Sequence, residues 1–310
     1  MNPPSTRLLV VLGLPEPSQD SSPDPGLEPL QRALELCGAP SLSAALEPIH
    51  RKALGAAGAA WQATRAIPSR WFASEASHAL LPELQSALQA QLPPQGLRVL
   101  QLSGLEHLLP LWRLALAELP VQPAYLLVLR HPLEVAEALR RSHGWSRDRG
   151  LLVWLQSTLA MEASSRGAAR VVVEQEQLHW DPEGALDHLE RQLNLQLPER
   201  SHERLLQWES EQPQSPLVAV PSVPSSTESS PLLQMAMQLH GWLLAESRGE
   251  ERPRMMPEVI CQQLAWAEAL YGRTLAEEQQ QRVRAEAELT QLRGRRLVRF
   301  SRWLRPDQAA

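Results

Sequence analysis

Four short runs of almost unbroken aliphatic residues constrain this chain more than any other feature. They are Arg7 to Gly13 (RLLVVLG), Leu97 to Leu102 (LRVLQL), Ala124 to Leu129 (AYLLVL) and Val171 to Val173. None alternates apolar with polar residues, so each reads as a strand covered on both faces. Helix-like stretches separate them. Strands alternating with helices predict a parallel sheet with helices packed on either side.

The intervening segments carry their own boundary signals. Pro29 to Cys37 reads as a helix closed by Gly38, and Ser43 to Ala60 as an alanine-rich helix weakened by Gly55 and Gly58. Trp61 to Phe72 shows no clear period. Ser74 to Leu92 reads as one amphipathic helix, with Leu80, Leu84 and Leu88 on its apolar side and Pro93-Pro94 as its stop. Leu105 to Leu119 follows as another. Pro132 sits at a first helical position ahead of Leu133 to Ser142, Ser146 is placed to cap Trp145 to Arg166, and Asp181-Pro182 caps a helix reaching Leu193.

A change of composition then marks the end of the α/β region. Residues 211–231 are rich in Pro and Ser and read as a flexible segment. The expected organisation is therefore an α/β domain over residues 1–210, that segment, and a helical C-terminal region over 232–310. Within the last, Leu232 to Ser247 is a helix. Met256 to about Arg293 is a polar helical stretch that would extend roughly 55 Å at the helical rise. Leu264, Tyr271, Ala285 and Leu292 lie on one seam that Glu278 interrupts, which leaves a coiled coil open.

Charge and cysteine usage narrow the function. The net charge is −5, which argues against a nucleic-acid partner held by overall electrostatics. Cys37 and Cys261 are the only cysteines and stand far apart, so neither a disulfide framework nor a cysteine zinc site is expected. Lys52 is the only lysine, among neighbours typical of a helix surface. Arg7 before Leu8 to Leu14 superficially resembles a signal sequence. The run is only about seven residues, however, and no small-residue cleavage site follows it, so a buried strand and a cytoplasmic protein are expected. No apolar stretch reaches the roughly 18 residues that span a bilayer.

The most informative stretch lies between Tyr125 and Leu195. The segment LLVLRHPLEVAEALRRSHGWSRDRGLLVWLQ resembles the donor 3′-phosphate motif of bacterial sulfotransferases that use 3′-phosphoadenosine 5′-phosphosulfate (PAPS). In that family a strand ends in an Arg, and a helix carries a Ser eight residues on; both hold the 3′-phosphate. Here the Arg is Arg130, and the position eight on is Ala138. The likeness extends upstream through VLQLSGLEHLLPLWRLALAEL and downstream through RVVVEQEQLHWDPEGALDHLERQLNL, covering roughly Arg7 to Leu197. It implies the sulfotransferase version of the phosphate-binding-loop fold, with PAPS as donor and a hydroxyl of a glycan or small molecule as acceptor.

The same resemblance locates the family's main donor loop after the first strand, where it usually reads Gly-Met-His/Pro-Arg-Ser-Gly-Thr-Ser. This chain has Gly13-Leu14-Pro15-Glu16-Pro17-Ser18-Gln19-Asp20. Gly13 is kept, Glu16 stands at the Arg position, and Pro17 replaces a Ser and removes a backbone donor. A second family segment, Lys-Asp-Pro-Arg, corresponds to Gln101, Leu102, Ser103 and Gly104, without either cation. A hydrogen bond to a charged group contributes about 1.5–3 kcal/mol. Losing several therefore weakens donor binding by several kcal/mol, at about tenfold per 1.4 kcal/mol.

Two functions are compatible with this pattern. One is sulfuryl transfer from PAPS, with Arg130 and Gly13 as the remaining donor contacts. The other is a non-catalytic relative that binds a partner protein or a glycan, in the setting of polysaccharide processing. Arg130 itself has two readings: an anion ligand, or a strand-end Arg paired with a nearby acid such as Glu134.

Other residues widen the search. His107, His131 and His143 are of the right type for a general base, though His131 sits in a turn that the family builds with His-Pro for architecture. No spacing suggests a metal site. Arg140, Arg141, Arg147 and Arg149 form a basic cluster, either a solvated helix face or an anion site for a sulfated or phosphorylated glycan. The run Arg293 to Arg305 interleaves arginines with Leu297, Phe300 and Leu304, as a membrane-surface or partner-binding helix would. The ten Trp residues stand mostly at helical spacing and read as core, with no sugar-stacking group legible among them.

Overall fold

The strands form where the aliphatic runs place them. The computed structural model describes residues 6–14, 27–211 and 230–270. Within these, β1 (Thr6–Leu12), β2 (Leu97–Gln101), β3 (Val121–Leu129) and β4 (Arg170–Glu174) make one parallel sheet in the order β2-β1-β3-β4. β3 begins earlier than its aliphatic run, because Val121, Gln122 and Pro123 pair with Thr6, Arg7 and Leu8. β4 joins β3 only from Tyr125 onward, so Pro123 lies where that side of β3 is an edge, a place proline tolerates.

Helices fill every crossover. Between β1 and β2 come α1 (Glu28–Leu36), α2 (Ser43–Ala56), α3 (Ser69–Phe72), α4 (Glu75–His78) and α5 (Leu81–Gln91). α6 (Leu105–Ala117) connects β2 to β3, and α7 (Pro132–His143) with α8 (Arg147–Ser165) connects β3 to β4. α9 (Gln175–Trp180), α10 (Pro182–Leu193), α11 (His202–Glu211) and α12 (Pro231–Ser247) follow. The sheet is thus central, parallel and flanked by helices, as the alternation predicts.

The local signals mostly act as expected. Ser146 accepts from the Arg149 N–H to cap α8, and Asp181 accepts from the Gly184 N–H to cap α10. The single helix expected over Ser74 to Leu92 is instead broken into α4 and α5. Ser74 caps the first piece by accepting from the Ser77 N–H. Pro82 lies in the first turn of the second, where it has no N–H to give to the preceding turn and its ring would crowd the carbonyl of residue 78.

Alternate strand residues feed two core layers. Leu9, Val11, Leu126, Val128, Val171 and Val173 pack with Leu30 and Leu34 of α1 and Leu186 and Leu189 of α10. Leu8, Val10 and Leu12 are fully buried too, on the opposite face, where α6 meets β3 and α12 meets β4. Two faces covered in this way explain why the strand sequences show no alternation.

Residues 1–257 form one compact unit and residues 258–310 a second. α12, which the sequence grouping sets among the C-terminal helices, packs on α8, α7 and β4 within the first unit. Of the second unit, residues 258–270 are helical and expose Val259, Trp266 and Leu270. The donor-loop positions 15–20, the Pro/Ser-rich positions 212–229, the heptad seam from Tyr271 on and the basic run Arg293 to Arg305 lie outside the described residues. No helix among the described residues is long and apolar enough to cross a membrane.

Candidate functional site

An open parallel sheet binds ligands beyond the carboxyl ends of its strands, at the point where the chain reverses its direction of winding. In the order β2-β1-β3-β4 that point falls between β1 and β3. Gly13 follows β1 and Arg130 follows β3, so both residues singled out from the sequence stand at this edge.

Their surroundings differ from those of a phosphate site. A Cβ on Gly13 would lie 3.2 Å from Leu27 Cδ1 and 3.3 Å from Val128 Cβ. The glycine is thus closely packed between hydrocarbon side chains. Leu27 also occupies the cap position of α1 and offers that helix end no side-chain acceptor. On the β2 side, the Gln101 N–H donates to Ser43 Oγ, and the Ser103 carbonyl is engaged by His50 Nε2 at 3.1 Å. Gly104 takes φ +79°, and a Cβ there would stand 3.1 Å from Trp61 Cα. Gly13 and the segment from Gln101 to Gly104 are thus packed against, or hydrogen-bonded to, the protein itself.

Arg130 is 4% exposed. Its Nη2 donates to Glu134 Oε1 at 3.1 Å, one turn on in α7, while its Nε and Nη1 are buried with no hydrogen-bond partner among the described residues. The backbone is fixed as well: the Arg130 carbonyl accepts from the Trp154 indole N–H at 3.0 Å. Arg130, His131, Glu134, Glu174, Glu176 and His240 are among the residues lining a cavity of about 60 Å³. Small-molecule sites usually offer about 300–1,000 Å³. Position 138, where the family has its Ser, is an alanine in α7.

Two imidazoles close one side of this cavity. His131 and His240 meet edge to face, with ring centroids 5.0 Å apart. His131 also caps α7, its Nδ1 accepting from the Leu133 N–H, which gives it an architectural task. Burial pushes its pKa below the usual histidine value, with Glu134 and Glu176 opposing. Burial, followed by the neighbouring His131 and Arg248, lowers His240 to about 4. Both rings are therefore neutral near pH 7. The three histidines considered as bases keep separate company: His107 lies beside the buried Glu106, with Nε2 3.7 Å from Glu106 Oε1, and His143 lies against Trp145.

The surroundings of Arg130 do not fit the 3′-phosphate of PAPS. That group would share one arginine with Glu134 and face Glu174 and Glu176 across a very small space. A cleft of about 900 Å³ is at the other end of the sheet. Its lining residues Asn194 and Arg200 come from the end of α10 and beyond, and the carbonyls of Leu193 and Asn194 accept from Arg7 at the start of β1. Arg200 there is taken up by Asp187 and Glu190.

Tertiary packing builds a second group at the carboxyl edge. Trp61, held against Gly104 just after β2, stacks on Trp145 with centroids 6.4 Å apart and planes inclined by 27°. His143 meets Trp145 at 4.9 Å and Trp61 at 6.1 Å. The Arg149 guanidinium lies over the Trp145 ring at 3.9 Å. All three rings are half-buried, whereas Trp112 and Trp154 are in the core. The sequence reading of the tryptophans as core is corrected here. Trp61 lies in a segment without periodicity, and nothing local links it to Trp145. Among the described residues, no group of three His, Cys, Asp or Glu side chains is placed to hold a metal ion.

Comparisons with known proteins add little. No family model matches the chain, and no curated protein matches it. Among solved structures it is similar to the sulfotransferase domain from the Synechococcus PCC 7002 olefin synthase. The two are 15% identical, the match covers 84% of this chain and 95% of that one, and the TM-score is 0.40. A likeness of that size assigns neither a family nor an activity.

Proposed function

We propose that this chain is a sulfotransferase-like protein that no longer takes the nucleotide donor at its strand-end site and works as a non-catalytic binding protein. The observation that carries this reading is the environment of Arg130. The residue that would hold the donor's 3′-phosphate by resemblance is buried, paired with Glu134, and set in a small cavity that Glu174 and Glu176 also line. Carboxylates facing a dianion raise its binding free energy through both repulsion and desolvation. The sequence supports the same reading, with Glu16 and Asp20 in the donor loop and no cation at Gln101 to Gly104.

One observation favours the competing reading, sulfuryl transfer from PAPS to a hydroxyl acceptor. Arg130 Nε and Nη1 have no partner among the described residues and would receive anion oxygens if Glu134 turned away. Thermal unfolding with and without millimolar 3′-phosphoadenosine 5′-phosphate separates the two. A ligand at a hundred times its Kd stabilises the fold by about 2.7 kcal/mol, a midpoint rise of roughly 5–10 °C for a domain of this size. No rise is expected. A rise of that size, abolished in Arg130→Ala, would overturn the non-catalytic reading.

A further inference from the structure

We propose that the corner where α7 turns into α8 is a binding surface for a sulfated glycan, an inference that rests on the non-catalytic reading and names its ligand. Trp61, His143 and Trp145 make a cluster of three rings in mutual contact, and the Arg149 guanidinium carbon stands 3.9 Å from the centre of the Trp145 ring. Rings that served only to fill the core would be shut away as Trp112 and Trp154 are; these three stay half-exposed. Neither Trp61 nor Trp145 has a hydrogen-bond partner for its indole N–H among the described residues, so both donors are available to a ligand hydroxyl or sulfate.

Arg140 and Arg141 are tied to Glu137, at 2.7 and 3.7 Å. Arg149, beside the rings, is exposed and makes no ion pair among the described residues, whereas the exposed Arg147 adds its charge to those acting on Glu137. A cation–π contact with Trp145 takes none of the Arg149 N–H groups in a hydrogen bond to an acid, and a guanidinium offers them as a fork to sulfate or carboxylate oxygens. Asp148, the nearest acid in sequence, accepts from Ser230 Oγ at 2.9 Å. Half-exposed rings with unpartnered indole N–H groups, and Arg149 alongside, match a saccharide carrying anionic groups better than a neutral sugar or a bare anion.

The position agrees. Trp61 packs on Gly104 immediately beyond β2, so the cluster stands at the carboxyl edge of the sheet, where this kind of fold receives ligands. With a net charge of −5, the chain has no overall attraction for a polyanion, so binding would need a local site.

The test is calorimetric titration of the full chain with a heparin-derived sulfated oligosaccharide and, separately, with uncharged maltohexaose, following tryptophan fluorescence in parallel. The sulfated sugar should bind, more weakly as salt rises, and the uncharged one should not. Binding should fall by about tenfold or more in Trp145→Ala, and by about tenfold in Arg149→Gln, which leaves the three rings packed. Absence of binding would overturn the proposal. So would equal binding of maltohexaose, or sulfated-sugar binding that survives both variants, which would place the site elsewhere, for example in Arg293 to Arg305. The nucleotide experiment is read on a different ligand: glycan binding lost at Trp145 together with a nucleotide-induced rise lost at Arg130 would keep this site and reject the non-catalytic reading.

Discussion

Arg170, at the start of β4, grips Glu246, near the end of α12, with both prongs of its guanidinium: Nε to Oε1 at 2.8 Å and Nη2 to Oε2 at 2.9 Å. The same arginine reaches back to α8, where Nη1 donates to the Glu162 carbonyl at 3.0 Å and to Ser165 Oγ at 3.2 Å. Glu162 is 1% exposed and also takes Arg166. The pair fixes the far end of α12 to the sheet across a long stretch of chain. Removing one member of a buried ion pair costs about 3–5 kcal/mol, because the other charge is left behind. Arg170→Ala is therefore expected to lower the denaturant midpoint strongly. In a double-mutant cycle Glu246→Gln should couple to it, and independent losses would show that the fork contributes nothing.

The Arg130–Glu134 pair is unequal in a testable way. Arg130 is almost fully buried, while the Glu134 side chain is 17% exposed and can reach water. Glu134→Ala strands a buried cation and should cost about 3–5 kcal/mol. Arg130→Met leaves a carboxylate that can rehydrate and should cost less. Urea unfolding of the two variants gives the order directly.

Gly150 marks a close approach of α8 to α7. A Cβ there would stand 2.8 Å from Ala136 Cα and 3.1 Å from Ala136 Cβ. The obstacle is mainly backbone, so the helices must part to admit a methyl group. Gly150→Ala should destabilise the fold by about 1–3 kcal/mol despite alanine's better helix propensity. A stabilised variant would show that the α7–α8 contact is loose.

Acid should unfold the protein partly through two histidines. Burial lowers His50 to about 4; its Nδ1 accepts from the Trp112 indole N–H while Nε2 contacts the Ser103 carbonyl. His240 is also lowered to about 4. A folded pKa below the unfolded one means that the unfolded chain takes up the proton first. The stabilisation is thus complete above about pH 6.5 and is lost as pH falls from there towards 4, by up to about 3 kcal/mol per histidine. His240→Phe, which keeps a ring beside His131 and Trp154, should flatten that part of the pH profile of unfolding. An unchanged slope would assign the acid sensitivity to other groups.

The fold was legible because its signals are local. Double burial writes itself into a strand as an unbroken aliphatic run, and Ser146, Asp181 and Pro132 mark helix starts through groups within one turn of themselves. Those features sufficed to establish a parallel sheet with helices on both sides and to put Gly13 and Arg130 at its carboxyl edge. Even there, Pro82 broke a helix whose apolar period looked continuous, since period reports which face is buried and not whether the backbone can run through. What Arg130 does with its charge, which rings gather around Trp145, and which acid receives Arg170 were settled only by the closed fold. Each depends on side chains from separate elements arriving at one point, and on how much water is excluded there. Neither the partner nor the loss of solvent is encoded in the few residues on either side.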